Sequence, residues 1–255
     1  CHRFFQLSLW PGDFGIFYLA DQVYLSKIQT SEGIMIKTPY LLFLGDAPDM
    51  LATKVAIGIK DWRPDASVGQ LRMEGCKADL GLPDMTIDQA IEAGAQTLVI
   101  GVANRGGYIS SSWKAVLLEA LEKGMDIASG LHNLLKDEAD LAAAAMMHGR
   151  TLFDVRVPLV EFPIANGVKR TGKRCLPVGT DCSVGKMYTG LAMEKEMHAR
   201  DMKATFRPTG QTGILITGGG IPLDAVVADF MAGSVEFLTP DNDADHWDLI
   251  EGQGS

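Results

Sequence analysis

The chain has 255 residues, 47% of them hydrophobic and 22% charged, with a formal net charge of −9. That length holds one large domain or two modest ones with a substantial core, and the acidic balance argues against a nucleic-acid surface, where a basic excess is expected. Cys1, Cys76, Cys175 and Cys182 include no C-x-x-C pair and make neither a disulfide framework nor a structural zinc site, so a reducing cytoplasm is the expected compartment. No run approaches the roughly 20 apolar residues of a membrane span.

Residues 1–34 contain Phe4, Phe5, Leu7, Leu9 and Trp10 but no clear small-residue cleavage site. We set them aside as an unassigned N-terminal extension, because Met35-Ile36-Lys37-Thr38-Pro39 looks like a natural beginning. Tyr40–Gly45 is a short, fully apolar run that suits a buried parallel strand. Pro48 to Lys60 has helical periodicity and is broken by Trp62-Arg63-Pro64. The glycine-containing stretch around Gly69 and Gly75 has no secure assignment. Thr86-x-x-Gln89 resembles a capping box that opens a helix. Thr97–Val102, Asp126–Gly130 and Leu152–Arg156 read as further strands, with an amphipathic helix from Ser112 to Lys123 closed by Gly124. Strands alternating with helices predict an α/β fold, a parallel sheet covered on both faces. Ligands in such folds sit beyond the carboxyl ends of the strands, which places Asp46, Asn104, Gly106, Gly107 and His132 near a possible cleft. The glycines would serve equally well as tight turns, and His132 as an ordinary loop histidine.

Residues 158–172 hold Pro158, Pro163, Asn166-Gly167 and Thr171-Gly172 and form the best linker in the chain. The expected division is therefore a Rossmann-like domain over 35–157, a linker over 158–172, and a second α/β domain over 173–255. In the second, Lys173–Val178 is a strand and Gly185 to Arg200 a helix. Lys203–Phe206 and Trp247–Glu251 are strands, with a long helix at roughly 222–236 between them. A strand ending in Glu-Gly-Gln-Gly-Ser is where a site is built, so we expect this second domain to be incomplete at its C-terminus.

Between the second domain's first strand and helix lies Gly179-Thr180-Asp181-Cys182-Ser183-Val184-Gly185-Lys186-Met187. It follows the phosphate-loop pattern G-x-x-x-x-G-K, in which backbone N–H groups and a helix N-terminus surround phosphate oxygens and the lysine adds a full charge. A nucleotide hydrolase continues with Ser or Thr, whose hydroxyl ligates Mg²⁺. Met187 stands there instead, and a thioether is a poor ligand for a hard cation. The loop from Gly179 to Met187 therefore reads as a phosphate cradle with no metal requirement. Asp181 is a base or amine-binding group, or else shapes the loop. Cys182 has thiolate potential beside a helix end but no histidine close in sequence. Arg207, with Thr209, Gln211 and Thr212 after it, suits a carboxylate clamp or is a surface arginine. Glu251, at a strand end, suits proton transfer or amine orientation.

The run Gly179-Thr180-Asp181 with Val184-Gly185-Lys186 resembles the P-loop domain of dethiobiotin-synthetase-like proteins. More extensively, 35–255 resembles the D-glutamate N-acetyltransferase family, formerly a domain-of-unknown-function family. The resemblance is carried by Pro39–Gly45, Asp79-Leu80-Gly81-Leu82-Pro83, Asp126–His132, Gly179–Lys186, Phe206–Gly213 and Trp247–Ser255. It implies a Rossmann-like N-terminal domain, a P-loop NTPase-like C-terminal domain, and acetyl transfer from acetyl-CoA to the amine of D-glutamate. In that setting Asp181, Lys186 and Glu251 are the catalytic candidates. Gly179 through Met187 would hold CoA phosphates, and Arg207, Thr209, Gln211 and Thr212 would hold the amino acid. The expected partners are small-molecule substrates, with neither nucleic acid nor membrane, and a homo-oligomer, most simply a dimer. A Mg·ATP-dependent ligase or kinase and a non-catalytic nucleotide-binding regulator are the competing readings.

Overall fold

The computed structural model describes residues 35–103, 106–158, 160–181 and 184–253; the expectations placed on 1–34, Asn104, Cys182 and Ser183 lie outside them. Five parallel strands form the first sheet: β1 (Tyr40–Gly45), β2 (Ser67–Arg72), β3 (Thr97–Ile100), β4 (Asp126–Ser129) and β5 (Leu152–Asp154), in the order β2-β1-β3-β4-β5. Every residue of β1, β3 and β4 is buried. Strand β1 reads as a continuous apolar run because helices cover both faces of the sheet. The helices are α1 (Lys54–Trp62), α2 (Ile87–Glu92), α3 (Ser111–Glu122) and α4 (Ala139–His148). The capping box is present as read: Thr86 Oγ1 accepts from Gln89 N, and Gln89 Oε1 accepts from Thr86 N. Trp113 on α3 fixes the end of β1. Its ring meets Phe43 edge-on at 5.5 Å and its Nε1 donates to Asp46 Oδ1 at 2.8 Å.

The sheet order reverses between β1 and β3, the usual ligand crevice of an open α/β sheet. Here the chain fills that point itself. Ala103 N donates to Ala52 O at 2.8 Å, Ala56 N to Gly101 O at 3.3 Å, and a Cβ on Gly101 would lie 2.5 Å from Ala56 Cβ. Helix α1 and the turn before it therefore pack closely on the chain leaving β3.

The second sheet has three parallel strands, β6 (Lys173–Cys175), β7 (Ala204–Arg207) and β8 (Trp247–Ile250), in the order β6-β8-β7. Helices α5 (Lys186–His198), α6 (Gln211–Thr217) and α7 (Ala228–Leu238) accompany it. Between β5 and β6 the described chain has no helix or strand, as the proline and glycine content predicts. It is nonetheless pinned along α7: Asn166 N and Gly167 N donate to the Glu236 carboxylate, and Arg170 Nη1 to Glu236 O and Thr239 O.

One continuous core joins the two sheets, running from β1 residues to Leu191, Phe206, Ile214, Leu215, Ile216 and Leu249. Helix α1 is the junction. A Cβ on Gly58 would lie 2.9 Å from Ile216 Cδ1, Trp62 stacks on Tyr188 at 5.9 Å, and Arg63 Nη2 bonds Glu194 Oε2 at 2.7 Å. No helix among the described residues is long and apolar enough to cross a membrane.

Candidate active site

The central strand of the second sheet decides which side chains converge. Strand β8 pairs with β6 through Cys175↔Leu249 and with β7 through Arg207↔Ile250. The residue after it, Glu251, therefore emerges between the phosphate loop that follows β6 and the 208–210 turn that joins β7 to α6. Its N–H continues the ladder to Arg207 O at 2.9 Å.

Glu251 is only 6% exposed. Its Oε2 accepts from Thr209 N at 2.9 Å and Gly210 N at 3.0 Å, while Thr209 Oγ1 donates to Glu251 O at 2.7 Å. Burial pushes the carboxyl above its ordinary value of 4.5; the N–H donors, Gln253 and the charge of Lys186 act against that shift without cancelling it. A buried carboxylate whose proton affinity is raised, beside a lysine and at a strand end, has the character of an acid–base group.

Two glycines make this arrangement possible. A Cβ on Gly252 would lie 2.1 Å from Pro177 O and 3.3 Å from Lys186 Cδ. A Cβ on Gly213 would lie 2.6 Å from Glu251 Oε2. Any side chain at either position displaces the loop backbone or the carboxylate, so close approach requires glycine at both.

The phosphate loop runs into α5 through Gly185, and Lys186 opens the helix. Lys186 Nζ donates to Asp181 O at 2.6 Å, closing the loop onto itself. Asp181 and Thr180 are exposed on its outer surface, as are Val178 and Val184, and Gly179 lies under Val184 and the Lys186 stem. The half-buried Met187 side chain packs against the core.

The 207–213 segment is organised differently from a row of ligand-facing side chains. Arg207 Nε donates to Asp248 Oδ1 at 2.8 Å, and Asp248 is fully buried, with Asn242 Nδ2 beside it at 3.3 Å. Arg207 thus neutralises an internal acid. Thr209 is also fully buried, its hydroxyl shared between Glu251 O and Gln253 Nε2 at 2.9 Å; it sets the Glu251 corner. Gln211 and Thr212 open α6 and are half-buried. Residue types and spacing do not disclose Gln253 or Asp248, because neither sits in a recognisable motif. Their roles appear only when β8 lies between β6 and β7.

In the first domain, Asp46 is engaged by Trp113, and Gly107 packs under the His132 backbone, with Asn133 N donating to Gly107 O at 2.9 Å. These residues form a tightly turned strand-end layer.

Two family domains match the chain: a Rossmann-like domain of unknown function (DUF1611_N) over residues 71–158 and a P-loop domain of unknown function (DUF1611_C) over 163–255. The chain belongs to the DUF1611 family. A D-glutamate N-acetyltransferase from Tritonibacter scottomollicae is 75% identical over 221 residues, which is 87% of this chain and 66% of that protein. A D-glutamate N-acetyltransferase from a Pseudoalteromonas species is 48% identical over 222 residues, 87% of this chain and 67% of that protein. The chain thus spans about two thirds of the length of these curated relatives. The crystal structure of a DUF1611 family protein from Anabaena variabilis ATCC 29413 is 30% identical, with a TM-score of 0.69 over 86% of this chain and 67% of that one. The family assignment agrees with the two-domain α/β architecture read from the strand–helix alternation.

Proposed function

We propose that this DUF1611 protein is an N-acetyltransferase that moves the acetyl group of acetyl-CoA to the amine of D-glutamate. The observation that carries the reading is Glu251, buried, raised in proton affinity and set against the lysine of a phosphate loop. The names of the two curated relatives supply the substrate.

The cradle suits CoA on structural grounds. Gly179 and Gly252 let backbone approach closely around the Lys186 stem. The 13-residue helix α5 starts at the loop and directs its N-terminus there. Met187 packs against the core in place of a metal-ligating hydroxyl. Residues 179–187 would hold the CoA phosphates, and exposed Val178 and Val184 border them with apolar surface.

Glu251 in its ionised form accepts the proton from the substrate ammonium, leaving a lone pair on nitrogen. The nitrogen attacks the thioester carbonyl carbon, a C–N bond forms, and the C–S bond breaks as the sulfur leaves with the bonding pair and takes up the proton that the attacking nitrogen sheds. Lys186 and loop N–H groups stabilise the oxyanion that forms between these events. Asp181, on the exposed side of the loop, orients the amine or shapes the loop.

A thermal-shift comparison tests the reading. Acetyl-CoA should raise the melting temperature without added metal, while Mg·ATP and GTP should leave it near its starting value. Stabilisation by Mg·ATP alone, lost on adding EDTA, would instead favour the ligase or kinase chemistry.

A further inference from the structure

Among the described residues three arginines stand at carboxyl ends of strands: Arg72 on β2, Arg156 two residues past β5, and Arg207 on β7. Two of them are committed to carboxylates of the protein. Arg72 forms a two-pronged bond to Asp84 and lies 3.6 Å from Asp79. Arg207 is tied to the buried Asp248. Arg156 differs. Its Nε donates to Gly130 O at 2.7 Å, which fixes the guanidinium plane. The carboxylate paired with it is Asp224, 4.0 Å from Nη1 with a side chain 56% exposed. A pair that long and that wet is weak and easily displaced.

The position matters as much as the loose pairing. Gly130, which holds the Arg156 Nε, is a second place where the first domain touches α6: a Cβ there would lie 3.4 Å from Gln211 Cβ and from Leu215 Cδ1. Gln211 follows Gly210, whose N–H donates to Glu251. Arg156 of the first domain and Glu251 of the second thus flank the same short stretch, Gly130, Gln211 and Gly210. Asp224, on the turn after α6, closes the Arg156 side.

We propose that Arg156 is a substrate-binding residue that anchors a carboxylate of the amino-acid substrate across the domain seam, displacing Asp224, while Glu251 meets the amine. This rests on the acetyltransfer reading above. A planar guanidinium fixed through Nε presents its remaining N–H groups as a fork, the geometry that takes a carboxylate on two oxygens. The substrate class is an acidic amino acid, and Arg156 takes over the clamp role expected of Arg207.

The test uses the full chain with Arg156→Gln, Arg156→Lys and Asp224→Asn. Arg156→Gln should raise the KM for D-glutamate by about 10- to 100-fold with the KM for acetyl-CoA unchanged. Arg156→Lys should recover part of the loss. Asp224→Asn, which leaves the Gly130 bond intact, should lower the KM for D-glutamate by about 2- to 5-fold by removing the competing anion. If Arg156→Gln spares D-glutamine, Arg156 holds the side-chain carboxylate; if both substrates suffer alike, it holds the α-carboxylate. Calorimetric titration of D-glutamate into the wild type and the variants reads the same contact without turnover. Binding that depends on Arg156 in a protein that transfers no acetyl group would sink the acetyltransfer reading alone. Arg156→Gln that titrates like the wild type, or a wild type that binds no D-glutamate, overturns the anchor.

Discussion

Arg63, at the end of α1, and Glu194, on α5, are joined at 2.7 Å across the two domains, and Glu194 Oε1 also accepts from Phe206 N at 2.8 Å. The helix that begins with the phosphate-loop lysine is therefore fastened at its midpoint to the first domain and to β7. Arg63→Met would leave Glu194, buried and half of this pair, without its cation. Breaking a buried pair costs about 3–5 kcal/mol, but the Arg63 side chain is 37% exposed, which places the expected loss nearer 1–3 kcal/mol. Chemical denaturation of the wild type and Arg63→Met measures it. Arg63→Lys should recover part of the loss, and the KM for acetyl-CoA should rise in Arg63→Met as the loop helix loosens.

With Glu251 as the proposed proton acceptor, it sets the acid side of the pH profile. It must be ionised to take a proton, and burial raises its pKa above the ordinary 4.5. The acid limb of kcat/KM is therefore expected above the usual glutamate range and absent from Glu251→Gln, whose kcat should fall about 10²- to 10⁴-fold. The stability effect has a definite sign. A carboxyl whose folded pKa is raised keeps its full stability below the unfolded value of 4.5 and loses stability as pH rises to the folded value, with a constant cost above it. Glu251→Gln removes that cost while its amide oxygen still accepts from Thr209 and Gly210, so the variant should melt no lower than the wild type at neutral pH. Thermal melts across the acid range check this.

Gly252 is the tightest point between β8 and the phosphate loop. Gly252→Ala would set a Cβ 2.1 Å from Pro177 O, a backbone atom that moves only with the loop. Overpacking of this kind costs about 1–3 kcal/mol, and here the displaced group is the cradle itself. Acetyl-CoA affinity should fall more than D-glutamate affinity, as titration of each ligand would show.

The buried strands were legible in the sequence because short apolar stretches end at glycine-containing turns: Tyr40–Gly45, Thr97–Ile100 and Asp126–Ser129 differ from the expected spans by no more than two residues at an end. The Thr86–Gln89 cap and the phosphate-loop helix were legible through capping chemistry and motif. Strand β2 was not, because Gly69 interrupts its pattern. The glycine is there because Pro83 O would lie 2.7 Å from a Cβ, and the 83–85 segment runs alongside. Helix α6 was not assigned from the sequence, since Thr-Gly-Gln-Thr-Gly looks like a turn; Gly213 is in fact helical and makes room for Glu251. The expected helix over 222–236 is a turn at Leu223–Ala225 followed by α7. The placement of Lys186 at a helix start and of Glu251 just past a strand was readable from motif and strand pattern. Burial of Thr209 and pairing of Arg207 with Asp248 were not, because both depend on which strands are neighbours.

The central claim is acetyl transfer at the Lys186–Glu251 site, and it is tested most directly by following thiol release from acetyl-CoA on addition of D-glutamate, in wild type and Glu251→Gln, with EDTA present. The account predicts stoichiometric free thiol and N-acetyl-D-glutamate from the wild type, and turnover lowered about 10²- to 10⁴-fold in Glu251→Gln. Undiminished thiol release by Glu251→Gln, or a wild type that releases none and instead consumes Mg·ATP, would contradict it.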